Sequence, residues 1–185
     1  MNRKPLVFYG WVIVAVGFCT LAFAYGVRFS FSVFYRAILD EFGWSRADTA
    51  LIFSINIIVY GITAPLAGAL VDRFGPRKII PAFVLLLAAA TAASSLSQAI
   101  WHLYLLYGVI LAFATSCVGS VPHVALLSNW FVKKRATAFG LLLAANAGAF
   151  ILASLVEYFI LHIGWRPAFL ILAAMIVVIV FPLVA

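Results

Sequence analysis

Arg28 is the sharpest chemical signal in the sequence. It stands about 20 residues into an apolar run that opens near Phe8, with no acid before it in that run. A guanidinium presents a planar fork of donors, which matches a carboxylate in a bidentate pair. Tyr25 lies three residues earlier and so shares the helical face of Arg28. Polar groups interrupt later apolar runs as well. Asn56 and Asn146 carry amides that bond a ligand or hold helices together. His123 follows Pro122; its imidazole titrates near neutrality and can relay a proton, or it takes a carbonyl that the proline frees. This is binding chemistry. The chain has no Gly-x-Ser-x-Gly, no His-Glu-x-x-His and no Asp pair inside an apolar run, so it lacks the nucleophile–base and metal constellations of an enzyme. No metal and no cofactor is expected. Cys19 and Cys117 sit in separate apolar runs and read as packing residues.

The elements that carry these groups follow from composition. The chain of 185 residues is 67% hydrophobic and 9% charged, with a mean hydropathy of +1.20. That leaves too little polar surface for a water-facing exterior, so the chain reads as an integral membrane protein. A membrane core about 30 Å thick needs roughly 20 apolar residues per helix. Six segments meet that length, near 8–34, 47–71, 79–99, 102–130, 137–162 and 167–185. All are expected to be helices, because lipid cannot satisfy an open sheet edge. Ser45 reads as an N-cap with Asp48 in a capping-box position. Gly164 and Pro167 punctuate the last turn, and Trp11, Trp44, Trp101, Trp130 and Trp165 fall near span ends. Asn2-Arg3-Lys4 and the following run imitate a signal peptide, but the run reaches Phe34, too long for one.

Charge orients the bundle. The N-terminus and the loops at 73–78 and 133–135 carry Arg3, Lys4, Arg73, Arg77, Lys78, Lys133, Lys134 and Arg135 against Asp72. The other side carries Arg36, Arg46 and Arg166 against Asp40, Glu41, Asp48 and Glu157. The excess of bases predicts that both termini are cytoplasmic. The net charge of +7 is spread over short clusters rather than one patch, so it does not indicate nucleic acid. At this depth Arg28 is expected nearer the outer face than the midplane, holding a carboxylate or snorkelling to the interface. Glu157, at similar depth, is either its partner or a headgroup-level residue. His102 and His162 read as interfacial.

The run from Gly68 to Lys78, GALVDRFGPRK, fits G-x-L-x-D-R-x-G-x-R-K through Gly68, Leu70, Asp72, Arg73, Gly75, Arg77 and Lys78. It resembles the loop between spans two and three of the major facilitator superfamily. A second stretch, WFVKKRATAFGLLLAANAG, resembles monocarboxylate-transporter-like members through Phe131, Lys133, Arg135, Ala138, Gly140 and Ala144, with Thr137 and Ala145 where that branch has Leu and Gly. Tyr9-Gly10-Trp11-Val12 is similar to the Gly-Trp entry of the same monocarboxylate-transporter-like (oxalate/formate antiporter-like) branch, and the segments 28–34 and 42–46 resemble its bacterial members.

The resemblance implies an all-α membrane fold of six helices, one half (a three-plus-three inverted repeat) of a twelve-helix transporter. Residues 1–185 would be the N-terminal half, with the C-terminal half absent, supplied by the same parent chain, a separate chain or a second copy. It implies that Asp72 meets a helix N-terminus in the other half, that Arg73, Arg77 and Lys78 brace it in a cytoplasmic gate, and that Gly68 and Gly75 permit close approach and a turn. Spans one and four would line a central cavity holding Arg28, Tyr25 and His123. The function implied is secondary transport of a small organic anion, a monocarboxylate moved with a proton by alternating access, in the plasma or inner membrane. The alternatives are efflux of amphipathic compounds and a truncated membrane protein without transport activity.

Overall fold

The computed structural model describes residues 9–128, 130–131 and 134–185. Arg3, Lys4 and Lys133 lie outside the described residues, as does any reading of them. Six membrane-length helices follow one another: α1 (Gly10–Phe42), α2 (Arg46–Phe74), α3 (Pro76–Ser94), α4 (Ile100–Ser128), α5 (Arg135–Ile163) and α6 (Trp165–Val184). Among the described residues there is no strand.

α1 runs on past Phe34, where the apolar run ends. Phe34 and Ile38 are fully buried, while Arg36, Asp40 and Glu41 face outward. The extension is thus amphipathic, held by one buried stripe. Gly43 stops it in the left-handed region (φ 63°), its N–H donating to the Leu39 carbonyl at 2.9 Å. Inside α1, Ser30 donates to the Gly26 carbonyl at 2.6 Å, a back-bond that accompanies a local turn at that residue. Ser45 caps α2, accepting from the Asp48 N–H at 3.0 Å. The Asp48 carboxylate does not return to the Ser45 backbone as a capping box requires; it takes the Ser45 hydroxyl at 2.6 Å. Gly75 (φ 82°) makes the α2–α3 turn, and Pro76 opens α3 where a missing N–H leaves no bond unmade.

α4 is the irregular helix. It holds a π-helical stretch at Tyr104–Leu111 and breaks its regular geometry at Gly119 before continuing as Ser120–Ser128. Its end is capped by Arg135, which donates to the Phe131 and Ser128 carbonyls, each at 2.7 Å. A cation there satisfies orphan carbonyls and suits the negative end of the helix.

The larger core draws mainly on α1, α3, α4 and α6, joined by Ile52 of α2 and by Leu152 and Val156 of α5, with Phe34 stacked on Phe169 at 3.8 Å between centroids. A second cluster around Leu21, Leu127, Leu142 and Ala149 joins α1, α4 and α5. The two ends of the bundle are marked by contacts between distant segments. At one end Arg166 pairs with Glu41 at 3.0 Å and donates to the Ser95 carbonyl at 2.9 Å, tying α6 to the ends of α1 and α3. Trp165 also donates to Glu41. At the other end Val12, Arg77, Trp130 and Leu183 surround one cavity.

Candidate functional site

α1, α2 and α4 bring Arg28 into the interior. Counting the rise per residue, Arg28 lies about 27 Å from Gly10 and about 21 Å from Phe42 along α1. It is therefore near the middle of its helix, somewhat closer to the Phe42 end, because α1 continues to Phe42. Arg28 is 8% exposed, which rules out snorkelling. Its Nε donates to Asn56 Oδ1 at 2.7 Å. Asn56, fully buried, spends its Nδ2 on the Tyr107 carbonyl at 2.9 Å. The Tyr107 hydroxyl donates back to the Val27 and Arg28 carbonyls at 2.7 and 2.9 Å. This loop fixes the guanidinium on three helices.

The rest of the shell is aromatic. The guanidinium carbon lies 4.1 Å from the Tyr60 ring centroid, a cation–π distance. The Tyr60 hydroxyl is 3.3 Å from that of Tyr25, and Tyr25 accepts the Ser120 N–H at 3.1 Å. Gly119 makes this approach possible: a Cβ there would lie 2.9 Å from the Thr115 carbonyl oxygen and 3.3 Å from both phenol oxygens. Nη1 and Nη2 of Arg28 donate to no protein group, and no carboxylate pairs with Arg28, among the described residues. A buried cation without a counter-charge is costly, and its free donor fork is the complement of an oxyanion.

The other expected residues fall elsewhere. Glu157 is exposed and makes no ion pair with Arg28, since α5 turns it to the surface. Asn146 donates to the Leu143 carbonyl of its own helix at 3.0 Å, next to an interruption at Ala144; it does not reach the Arg28 cluster. His123 is 3% exposed, and its Nδ1 pairs with the Gly119 carbonyl at 2.9 Å. Asp72, Arg73, Arg77 and Lys78 are exposed, and Asp72 forms no ion pair among the described residues, so the bases do not brace it. Arg73 instead lies 5.2 Å from the Phe74 ring centroid. Gly68 makes no close approach; a Cβ there would meet Val121 at an ordinary 3.9 Å, and one at Gly140 would meet nothing within 4 Å. Arg135 serves as the helix cap described above.

Tyr60 and Tyr107 were not singled out from the sequence. Tyr60 had a signal: it lies four residues after Asn56 and so shares its helical face. Tyr107 had none, because its use depends on the π-helical register of α4.

Comparison with known proteins agrees with this architecture. The chain is 31% identical to human monocarboxylate transporter 7 over 88% of its length, covering 31% of that protein. It is 32% identical to bovine monocarboxylate transporter 13 over 90% of its length, covering 39% of that protein, and 32% identical to rat monocarboxylate transporter 3 over 91%, covering 34%. The chain thus spans about a third of the length of the curated relatives it matches. The sequence profile of the Major Facilitator Superfamily matches residues 3–185, and with six membrane-length helices and no strand among the described residues, this multi-pass membrane chain belongs to that superfamily.

Proposed function

We propose that this chain is the N-terminal six-helix part of a secondary transporter for a small monocarboxylate, working by alternating access with a proton as the coupled ion. Arg28 holds the substrate carboxylate through its free Nη edge, Asn56 and Tyr107 set the angle of the fork, and the phenols of Tyr25 and Tyr60 close the shell. The gate loop Gly68–Lys78 faces the cytoplasm and meets a second six-helix half, where Asp72 finds its partner. The observation that carries the reading is the buried guanidinium of Arg28, held at Nε yet unpaired with any carboxylate among the described residues. The names of the relatives support the choice of substrate class.

The test is uptake of labelled lactate into proteoliposomes made from the assembly that carries this chain. Truncating one partner of a buried charge pair costs about 2–5 kcal/mol. Arg28→Gln should therefore lower uptake by roughly a hundredfold or more at unchanged protein level, and Arg28→Lys, which keeps the charge but not the fork, should recover only part of it. Uptake within threefold of the parent in Arg28→Gln would remove Arg28 from the site.

A further inference from the structure

A second polar group faces a cavity in the same bundle. At the end carrying Asp72, a cavity of about 370 Å³ opens between α1, α3, α4 and α6, within the range of small-molecule sites. Val16, Ile80, Leu126 and Leu183 give it apolar walls, and His123 and Arg77 give it two polar ones. His123 is almost fully buried. Its Nδ1 meets a carbonyl oxygen, which can only accept, so Nδ1 carries a proton and Nε2 is the nitrogen left to bind or release one. Nε2 bonds no protein group among the described residues. The ring edge bearing it faces Gly17, where a Cβ would lie 2.9 Å from Cδ2 and 3.7 Å from Nε2. The absent side chain at Gly17 is what lets the imidazole reach the cavity.

We propose that this cavity is a second station, on the gate-loop side of Arg28, that takes an amphipathic monocarboxylate together with one proton shared between its carboxyl group and His123 Nε2. The ligand class rests on the monocarboxylate reading above; the site itself does not use Arg28. Arg77 supplies the counter-charge at the mouth. When the carboxylate binds, Nε2 accepts one proton from solution, giving R–COO⁻···H–Nε2⁺, or the acid enters protonated and donates to Nε2; the stoichiometry is the same. On release, anion and proton leave together. Gly17 of α1 lies against the imidazole, with Leu142 of α5 beside it; the cavity that His123 lines is also walled, among the described residues, by Val16 from α1, Arg77 and Ile80 from α3, and Leu183 and Ala185 from α6. Arg77 is the one charged side chain among these residues. The Tyr25 phenol of α1 accepts the N–H of Ser120, three residues before His123 on α4, at 3.1 Å.

The test uses the purified chain, labelled with ¹⁵N-histidine, in a neutral maltoside detergent that supplies no anionic lipid, with hexanoate as the ligand. His123→Gln assigns the His123 signals against those of His102 and His162. The proposal expects an Nδ1–H tautomer in the free protein and a saturable shift of the Nε2 resonance on adding hexanoate. Because one proton binds with the anion, affinity should fall about tenfold per pH unit where the free imidazole is neutral. Arg77→Gln should weaken binding at least about tenfold. Val16→Phe, which fills the cavity, should abolish the shift while the Nδ1–H signal persists and reports an intact fold. Arg28→Gln should leave the shift unchanged, which separates this site from the proposed central one. Absence of a shift at saturating hexanoate, a pH-independent affinity, an unaltered response in Val16→Phe, or loss of the response in Arg28→Gln would each overturn it.

Discussion

At Arg28 an amide occupies the position where a buried guanidinium would find a carboxylate. Asn56 orients the fork through one hydrogen bond and leaves its charge uncompensated. That distinction is testable by a single atom. Asn56→Asp places a carboxylate within the same 2.7 Å reach, so the protein would supply its own counter-ion. Anion binding should be lost, while the new ion pair offsets the lost Nδ2 donation to the Tyr107 carbonyl, so that the melting temperature in detergent falls less than in Asn56→Leu. Asn56→Leu supplies no such offset. It strands the Arg28 Nε and the Tyr107 carbonyl, and each unpaired buried group costs about 1–3 kcal/mol; the melting temperature should drop. Carboxylate binding retained in Asn56→Asp would show that Asn56 is structural only. Sequence reading found Arg28, Tyr25 and Asn56 because intramembrane polar groups are few and conspicuous. It could not pair them. Arg28 and Asn56 lie 28 positions apart, and nothing in helical periodicity relates two different helices. The same blindness led to Glu157 being considered for Arg28, since matching charge and depth say nothing about which face of α5 looks inward.

At the scale of the helix, α4 holds the site together by being irregular. Its π-helical stretch presents the Tyr107 carbonyl to Asn56 and its hydroxyl to α1. Its break at Gly119 admits the phenols of Tyr25 and Tyr60. Gly119→Ala drives a methyl against the Thr115 carbonyl oxygen, which as backbone cannot yield easily. Overpacking of this kind costs about 1–3 kcal/mol, and relief by displacing the phenols would also disturb the shell around Arg28. The expected outcome is an earlier thermal transition, followed by a thiol-reactive dye at the fully buried Cys117, together with weaker carboxylate binding. A transition and affinity equal to the parent's would show that the break has slack. Neither irregularity was legible in the sequence, because π-helical register is a property of packing and Gly119 is one of 12 glycines. The length of α1 was missed for a different reason. Average hydropathy falls after Phe34, yet the stripe Phe34, Ile38 and Phe42 continues at helical spacing. Composition ended the span where periodicity extended it, and that error moved Arg28 away from the middle of the helix.

For the whole molecule, the contacts between distant segments order the ends of the bundle. Glu41, Ser95 and Arg166 meet at one end; Val12, Arg77, Trp130 and Leu183 gather at the other. The turns 43–45, 95–99 and 164 therefore share one side, and the turn at Gly75 and the α4–α5 connection share the opposite one. Among the described residues the second side carries Arg73, Arg77, Lys78, Lys134 and Arg135 with Asp72, whereas the first balances Arg36, Arg46 and Arg166 against Asp40, Glu41 and Asp48. Lys and Arg in short loops are retained on the cytoplasmic side during insertion. The prediction is that alkaline phosphatase fused after Lys78 in a bacterial host is inactive and a fluorescent protein at the same point is bright, while fusions after Leu96 give the reverse. Active phosphatase after Lys78 would invert the molecule. It would put the His123 cavity on the outer side, so that the proton proposed to be shared there would be exchanged with the external medium instead of the cytoplasm. The orientation of the bundle thus rests, among the described residues, on five bases in two loops, none of which touches the Arg28 cluster.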